Sequence, residues 1–194
     1  MTVWNNLRAA VFSWMVSGLF AEWGRGSRVL PPFRSANLNY IYVGRNVSIE
    51  RDCWILVTGD NLREGAPRLE IGSGTVIGMG ATISAAQSVI LEHDVLLDRN
   101  VYVSDHGHAY EDITRPIMDQ GISKPVPVRI GHHSYLGPNV VVLPGVTIGA
   151  HCVVGANSVV KQSIPDFSVV AGVPAQAVKS YDKKSNQWEE FSDR

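Results

Sequence analysis

The chain has 194 residues, 45% of them hydrophobic and 18% charged, with a formal net charge of −1. That length fits one domain with a sizeable core, and the near-neutral balance leaves no basic footprint for nucleic acid. The two cysteines, Cys53 and Cys152, have no framework spacing, so buried reduced thiols and a cytoplasmic site are expected rather than a disulfide.

The first element is an apolar run from Ala9 to Ala21, between Arg8 and Glu22. Its thirteen residues are too few to span a bilayer. Arg8 is a lone charge and no A-x-A site follows, so a signal peptide is not expected. Leu7, Val11, Trp14, Met15 and Gly18 fall at helical spacing, with Phe12, Leu19 and Phe20 widening the stripe. This predicts a helix packed by that stripe on the end or side of the fold; the functional alternative is an interfacial helix in peripheral contact with a membrane.

Residues 24–39 carry Gly, Arg and the pair Pro31-Pro32, and read as an irregular entry segment. Sixes begin at Val43, Ile49 and Ile55, break at the polar stretch 58–68, and resume at Ile71, Ile77 and Ile83. The register then slips by two, across Ala85 to Ser88, to reach Leu91, Leu97 and Val103, which predicts a small bulge at a corner. The insert 104–127 is the longest interruption and is dense in ionisable side chains. In a solenoid such an insert becomes a projecting loop, where function concentrates.

From Ile130 the pattern is strict: an aliphatic residue opens each hexad at 130, 136, 142, 148, 154 and 160, and Gly follows in four of the five complete hexads. A short strict period means that each unit buries its apolar corner against the units above and below it. The pattern closes at Ile164-Pro165-Asp166 and Ala171-Gly172-Val173-Pro174-Ala175. The expected division is an N-terminal helical and entry segment over 1–39, a β-helix over 40–178, and a polar tail over 179–194 that is helical or partly disordered.

Of six histidines, His93, His132, His133 and His151 occupy polar corner positions, where a structural role is the expectation. His106 and His108 stand at the start of the insert, two residues apart and so on one face if the strand alternation continues. Imidazole suits general-base work near neutral pH, and Asp105, Glu111 or Asp112 could orient it. The chain carries neither a Gly-rich phosphate loop nor a G-x-S-x-G elbow.

With the hexads, the Asp105-His106-Gly107-His108 segment and the Ala171–Ala175 ending together, the chain resembles the hexapeptide-repeat acyltransferases from about Val43 to Val178. It is most similar to the branch that O-acetylates sugars and polysaccharide precursors. The resemblance implies an all-β fold, a left-handed parallel β-helix of triangular section, and a homotrimer with acetyl-CoA lying in the groove between two subunits. It implies a direct transfer that uses no metal. The catalytic histidine of the family falls on His106, with His108 as its rival and Asp105 beside it. Tyr135, Gly137, Gly155, Ala156, Gly172 and Pro174 fall on the coenzyme side, and Lys161 or a tail lysine (Lys179, Lys183, Lys184) would meet the CoA phosphates. Asp98 and Asn100 fall near the sugar. Two departures stand out: the family's frequent His-Pro is His-Gly-His here, and Pro138 lacks the N–H that relatives offer.

Three other readings share these residues. The acceptor could be the amine of an amino sugar nucleotide or of a xenobiotic. A gamma-carbonic-anhydrase-like enzyme would hold zinc on His106, His108, His132 and His133. A non-catalytic scaffold would keep the coils alone. The location expected is cytoplasmic, at the inner face of the membrane if the helix touches it.

Overall fold

In this computed structural model residues 3–59 and 68–191 are described, so most of the polar break at 58–68 lies outside the described residues. The chain winds through three parallel sheets that form the sides of a left-handed β-helix. Sheet A holds six strands from Glu22–Trp23 to Thr147–Ile148, sheet C six from Phe33–Ala36 to Val159–Val160, and sheet B nine.

The hexad openers become three vertical columns. Val43, Ile71, Leu91, Ile130 and Ile148 stand above one another in sheet A. Ile49, Ile77, Leu97, Leu136 and Val154 do so in sheet B, and Ile55, Ile83, Val103, Val142 and Val160 in sheet C. None of these fifteen side chains is more than 2% exposed, so the sixfold period is the core itself.

Where glycine follows an opener, it lets one coil lie close upon the next. A Cβ at Gly131 would sit 2.5 Å from the Gly149 carbonyl carbon and 2.6 Å from Ala150 N, both backbone atoms that cannot swing away. Gly131→Ala is therefore expected to lower stability by about 3 kcal/mol, read as a fall in Tm.

The β-helix begins earlier than the 40–178 reading placed it. Glu22–Trp23, Arg28–Val29 and Phe33–Ala36 form a first coil that pairs with the second at Trp23↔Val43, Val29↔Ile49 and Ser35↔Ile55. The segment 24–39 looked irregular because Trp23, Ser35 and a Pro pair stand where later coils carry aliphatic residues and glycine. The tail also departs from expectation: Ala175–Asp182 and Gln187–Glu190 form an antiparallel hairpin that extends sheet B, in place of a helix.

Helix α1 (Val3–Ser17) caps the first coil as expected, but of the expected stripe Phe12 and, just beyond the helix, Phe20 pack on the core while the rest faces out. Ala9, Phe12, Ser13 and Val16 turn inward, while Leu7, Val11, Trp14 and Met15 are 51–79% exposed. The anchor is polar. Ser13 Oγ accepts the Val29 N–H at 2.8 Å and donates to Ala9 O at 2.6 Å, closing the open strand edge of sheet B. Both cysteines are buried free thiols, as their spacing implied; desolvation pushes Cys53 up to about 11 and also raises Cys152.

Candidate active site

The insert leaves the β-helix at the end of strand Tyr102–Ser104, at the corner between sheets C and A. Asp105, the next residue, is fully buried and turns its carboxylate back under the preceding coil. There it accepts three backbone N–H groups: Ala86 on Oδ1 at 2.8 Å, and Gln87 and Ser88 on Oδ2 at 2.7 Å each. The two-residue slip at Ala85 to Ser88 is thus a nest of amides built around a carboxylate. Such a nest satisfies a buried charge without a cation.

The same carboxylate holds His106. Its Nδ1 lies 2.7 Å from Asp105 Oδ1, and the ring is 10% exposed. Because the ionised carboxylate only accepts, Nδ1 carries the proton and Nε2 presents its lone pair. Ser84 Oγ is 3.5 Å from Nε2, and Ser104, paired with Ser84 across the two coils, donates from Oγ to the His106 carbonyl at 2.8 Å. Ser84, Ser104 and the amide nest were not anticipated from the residue types; the slip in the repeat was their only trace.

His108 sits differently. It is exposed, and its backbone forms a bridge to Ile122 across the loop. The loop is a narrow double strand, closed by Ser123 N–H to Gly107 O at 2.9 Å and Ala109 N–H to Gly121 O at 3.1 Å. Glu111 and Asp112 are engaged within it: Glu111 accepts the Tyr110 N–H, and bonds from the Thr114 hydroxyl and N–H hold Asp112 below the usual carboxylate range. Of the three acids that could orient an imidazole, Asp105 is the one in place. Ile113, Ile117 and Met118 project from the loop at 55–96% exposure.

The residues expected on the coenzyme and sugar sides lie mostly on sheet B and its corner with sheet C. The Tyr135 hydroxyl donates to Asp98 Oδ2 at 2.9 Å, and this bond, with burial and the carboxylate charge, raises the phenol above its usual value. Asp98 Oδ1 also accepts the Arg99 N–H. Asn100 has φ 57° and joins a corner ladder: its amide donates to Asn139, which donates to Asn157. That ladder gives Asn100 a structural task and sets it at the far end of strand Tyr102–Ser104 from His106. Gly137 and Gly155 stack at this corner, their N–H groups bonded to Val154 O and Val170 O. The Ala156 N–H, in contrast, has no acceptor among the described residues. It lies where a Cβ on Gly137 would come within 2.9 Å of it.

Gly172 takes φ 104°, and the exposed Pro174 follows it. Pro138, which has no N–H to offer, accepts the Asn157 N–H on its carbonyl instead. Lys161 is exposed at the C–A corner, two coils on from His106. Lys179 pairs with Glu190 at 3.2 Å, and Lys183 lies over the Phe167 ring. Within one chain, His106 and the Tyr135–Ala156 group thus occupy different corners of the triangle.

The chain is thus a left-handed parallel β-helix with a buried Asp105–His106 pair at the root of a projecting loop. Two family models match its coils: "Bacterial transferase hexapeptide (six repeats)" over residues 127–162 and "Hexapeptide repeat of succinyl-transferase" over 68–105. The chain is similar to the hexapeptide-repeat acyltransferases over these coils. It is 40% identical over 113 residues to WbbJ of Escherichia coli, named as a candidate lipopolysaccharide biosynthesis O-acetyl transferase, covering 55% of this chain and 58% of that one. A hexapeptide-repeat acetyltransferase of Vibrio cholerae, solved with acetyl coenzyme A, superposes with TM-score 0.60 at 28% identity, over 90% of this chain and 78% of the other. AntD, an N-acyltransferase of Bacillus cereus solved with dTDP-4-amino-4,6-dideoxyglucose and coenzyme A, shares the fold at TM-score 0.74 and 20% identity, with 90% of each chain covered. The chain spans about half the length of the curated relatives it matches, 50% and 58% for the first two.

Proposed function

We propose that the protein transfers the acetyl group of acetyl-CoA to a hydroxyl of a sugar or polysaccharide precursor, with His106 as general base. The observation that carries this reading is the Asp105–His106 pair, which commits Nδ1 to a buried carboxylate and leaves Nε2, with Ser84 Oγ 3.5 Å away, as the proton acceptor. The acceptor hydroxyl gives its proton to Nε2 as its oxygen attacks the thioester carbonyl. The C–S bond then breaks, and the proton passes from His106 to the thiolate, leaving CoA and the acetyl ester. Backbone amides stabilise the oxyanion; Pro138 cannot be one of them.

Acetyl-CoA lies along Tyr135, Gly137, Gly155 and Ala156, then Gly172 and Pro174, with Lys161 toward the phosphates. The unpaired Ala156 N–H supports this path, as does the acetyl-CoA in the Vibrio structure. Asp98 is held toward the acceptor by Tyr135. The active unit is a homotrimer, because His106 and the coenzyme face meet only when a second copy presents its sheet B to this loop. The apolar side chains at Ile113, Ile117 and Met118 are suited to that contact. WbbJ supports a polysaccharide-type hydroxyl acceptor, and the fold shared with AntD keeps an amino sugar as the second reading. Calorimetric titration tests the donor half: one acetyl-CoA per chain is expected, and no binding would return the chain to a scaffold.

The protein works in the cytoplasm at the inner membrane face, held there by α1. No helix of the described residues is long and apolar enough to cross a membrane. The outward stripe of Leu7, Val11, Trp14 and Met15 is flanked by Arg8, Arg25 and Arg28, a pairing of apolar and cationic groups that matches an anionic lipid surface. Cosedimentation with vesicles containing phosphatidylglycerol is expected, and Leu7→Ser with Trp14→Ser should reduce the bound fraction at least fivefold. Equal partition of the double variant would sink the membrane role.

A further inference from the structure

Four of the six histidines gather at one corner, between sheets A and B, away from the insert. The rings of His93 and His132 stack at 4.9 Å between centroids, and His133 meets His93, His132 and His151 edge-on at 5.1, 5.0 and 4.6 Å. We propose that His93, Asp94 and His133 form a binding site for a divalent transition-metal ion on this corner.

Geometry carries the argument. One donor atom from each of the three residues can be chosen so that all lie within 4.8 Å of one another. His93 Nδ1 is 2.8 Å and His133 Nε2 3.5 Å from Asp94 Oδ2, so both imidazoles already converge on one carboxylate. Metal–ligand bonds of about 2.0–2.2 Å place ligand atoms roughly 3–3.5 Å apart, a closure that exposed side chains reach by rotation. His133 Nδ1 lies 2.9 Å from His151 Nε2. With its proton on Nδ1 donated to His151, His133 turns its Nε2 lone pair toward Asp94. A ligating histidine characteristically has such a partner on its other nitrogen.

The backbone gives a second argument. His133 and His151 stand in the left-handed region, at φ 58° and 52°. The equivalent positions of the B–C corner hold Asn100, Asn139 and Asn157, the residue type that this conformation favours. The turn therefore has no need of imidazoles at His133 and His151. Glu92, two residues before Asp94, accepts the His132 N–H and ring Nδ1 and pairs with Arg129. Glu92 is thereby tied to His132 and Arg129, which leaves Asp94 as the carboxylate for the ion. Two imidazoles and one carboxylate suit Zn²⁺, Co²⁺ or Ni²⁺ and disfavour Mg²⁺ or Ca²⁺; open positions fall to water or another donor. This site shares no residue with the Asp105–His106 pair.

The test is calorimetric titration of the untagged, chelator-stripped full chain with Zn²⁺, alongside His133→Asn, Asp94→Asn and His93→Gln. Asn at 133 and 94 restores the residue of the other corner, so both variants are expected to melt within 2–3 °C of the parent. The expected result is one Zn²⁺ per chain with micromolar Kd, weakened at least tenfold in each variant, and no heat with Mg²⁺. His151→Gln should weaken binding by a smaller factor. Zn²⁺ binding that is unchanged in the variants, or that is weak and of no fixed stoichiometry in the parent, overturns the site.

Discussion

Replacing His106 with Ala is expected to lower kcat for acetyl transfer by about 10²–10⁴-fold while leaving acetyl-CoA affinity and Tm close to those of the parent. The asymmetry follows from the bonds around the ring. His106 contributes one of four donors to the Asp105 carboxylate, and the amides of Ala86, Gln87 and Ser88 remain when it is removed. The buried charge is then still satisfied, so the fold holds while the base is gone. His108→Ala should retain near-normal turnover, because His108 is exposed and none of the side-chain hydrogen bonds that orient His106 reaches it. The reverse pattern, a dead His108 variant beside an active His106 one, would move the role along the loop.

Asp105→Asn is expected to damage both stability and rate. The two carboxylate oxygens face four donors, and an asparagine must set its NH₂ against at least two of them. Facing donors with a donor at a site with no solvent exposure costs on the order of 3–5 kcal/mol, seen as a large drop in Tm. If the amide instead keeps its oxygen toward Gln87 and Ser88, its NH₂ faces His106 Nδ1 and selects the other tautomer, with the proton on Nε2. A base that already carries its proton cannot take another, so kcat should fall by about 10²-fold or more even below the melting transition, with KM for acetyl-CoA held. A variant that melts with the parent and turns over normally would contradict the assignment of Asp105.

The columns of the core were legible because a β-helix writes its geometry directly into spacing: Ile130, Leu136 and Val142 each open a side of the triangle. The site was legible in part. His106 and Asp105 stood out as ionisable residues where a strict repeat stops, and the amide nest left its mark as the slip before Leu91. The nest's chemistry could not be read from side chains, since it is made of backbone N–H groups of Ala86, Gln87 and Ser88. The first coil was hidden by Trp23 and the Pro31-Pro32 pair, which occupy repeat positions without the repeat's residue types. The inward face of α1 was legible only in part because apolar residues line both of its sides. Phe12 and Val16 go inward with Ser13, whose hydroxyl meets the free strand edge at Val29, and a hydrophobic stripe carries no record of that bond. The histidine corner was taken residue by residue, and its convergence became visible only when coils separated by 18–40 residues were stacked.

The most direct measurement is CoA release by the parent chain from acetyl-CoA across free sugars, nucleotide sugars and lipid-linked saccharides, run beside the His106→Ala variant. Release that depends on a hydroxyl acceptor, at least a hundredfold above the acceptor-free rate and lost in the variant, is the predicted result. Release that no acceptor stimulates, or that survives unchanged without His106, would contradict it.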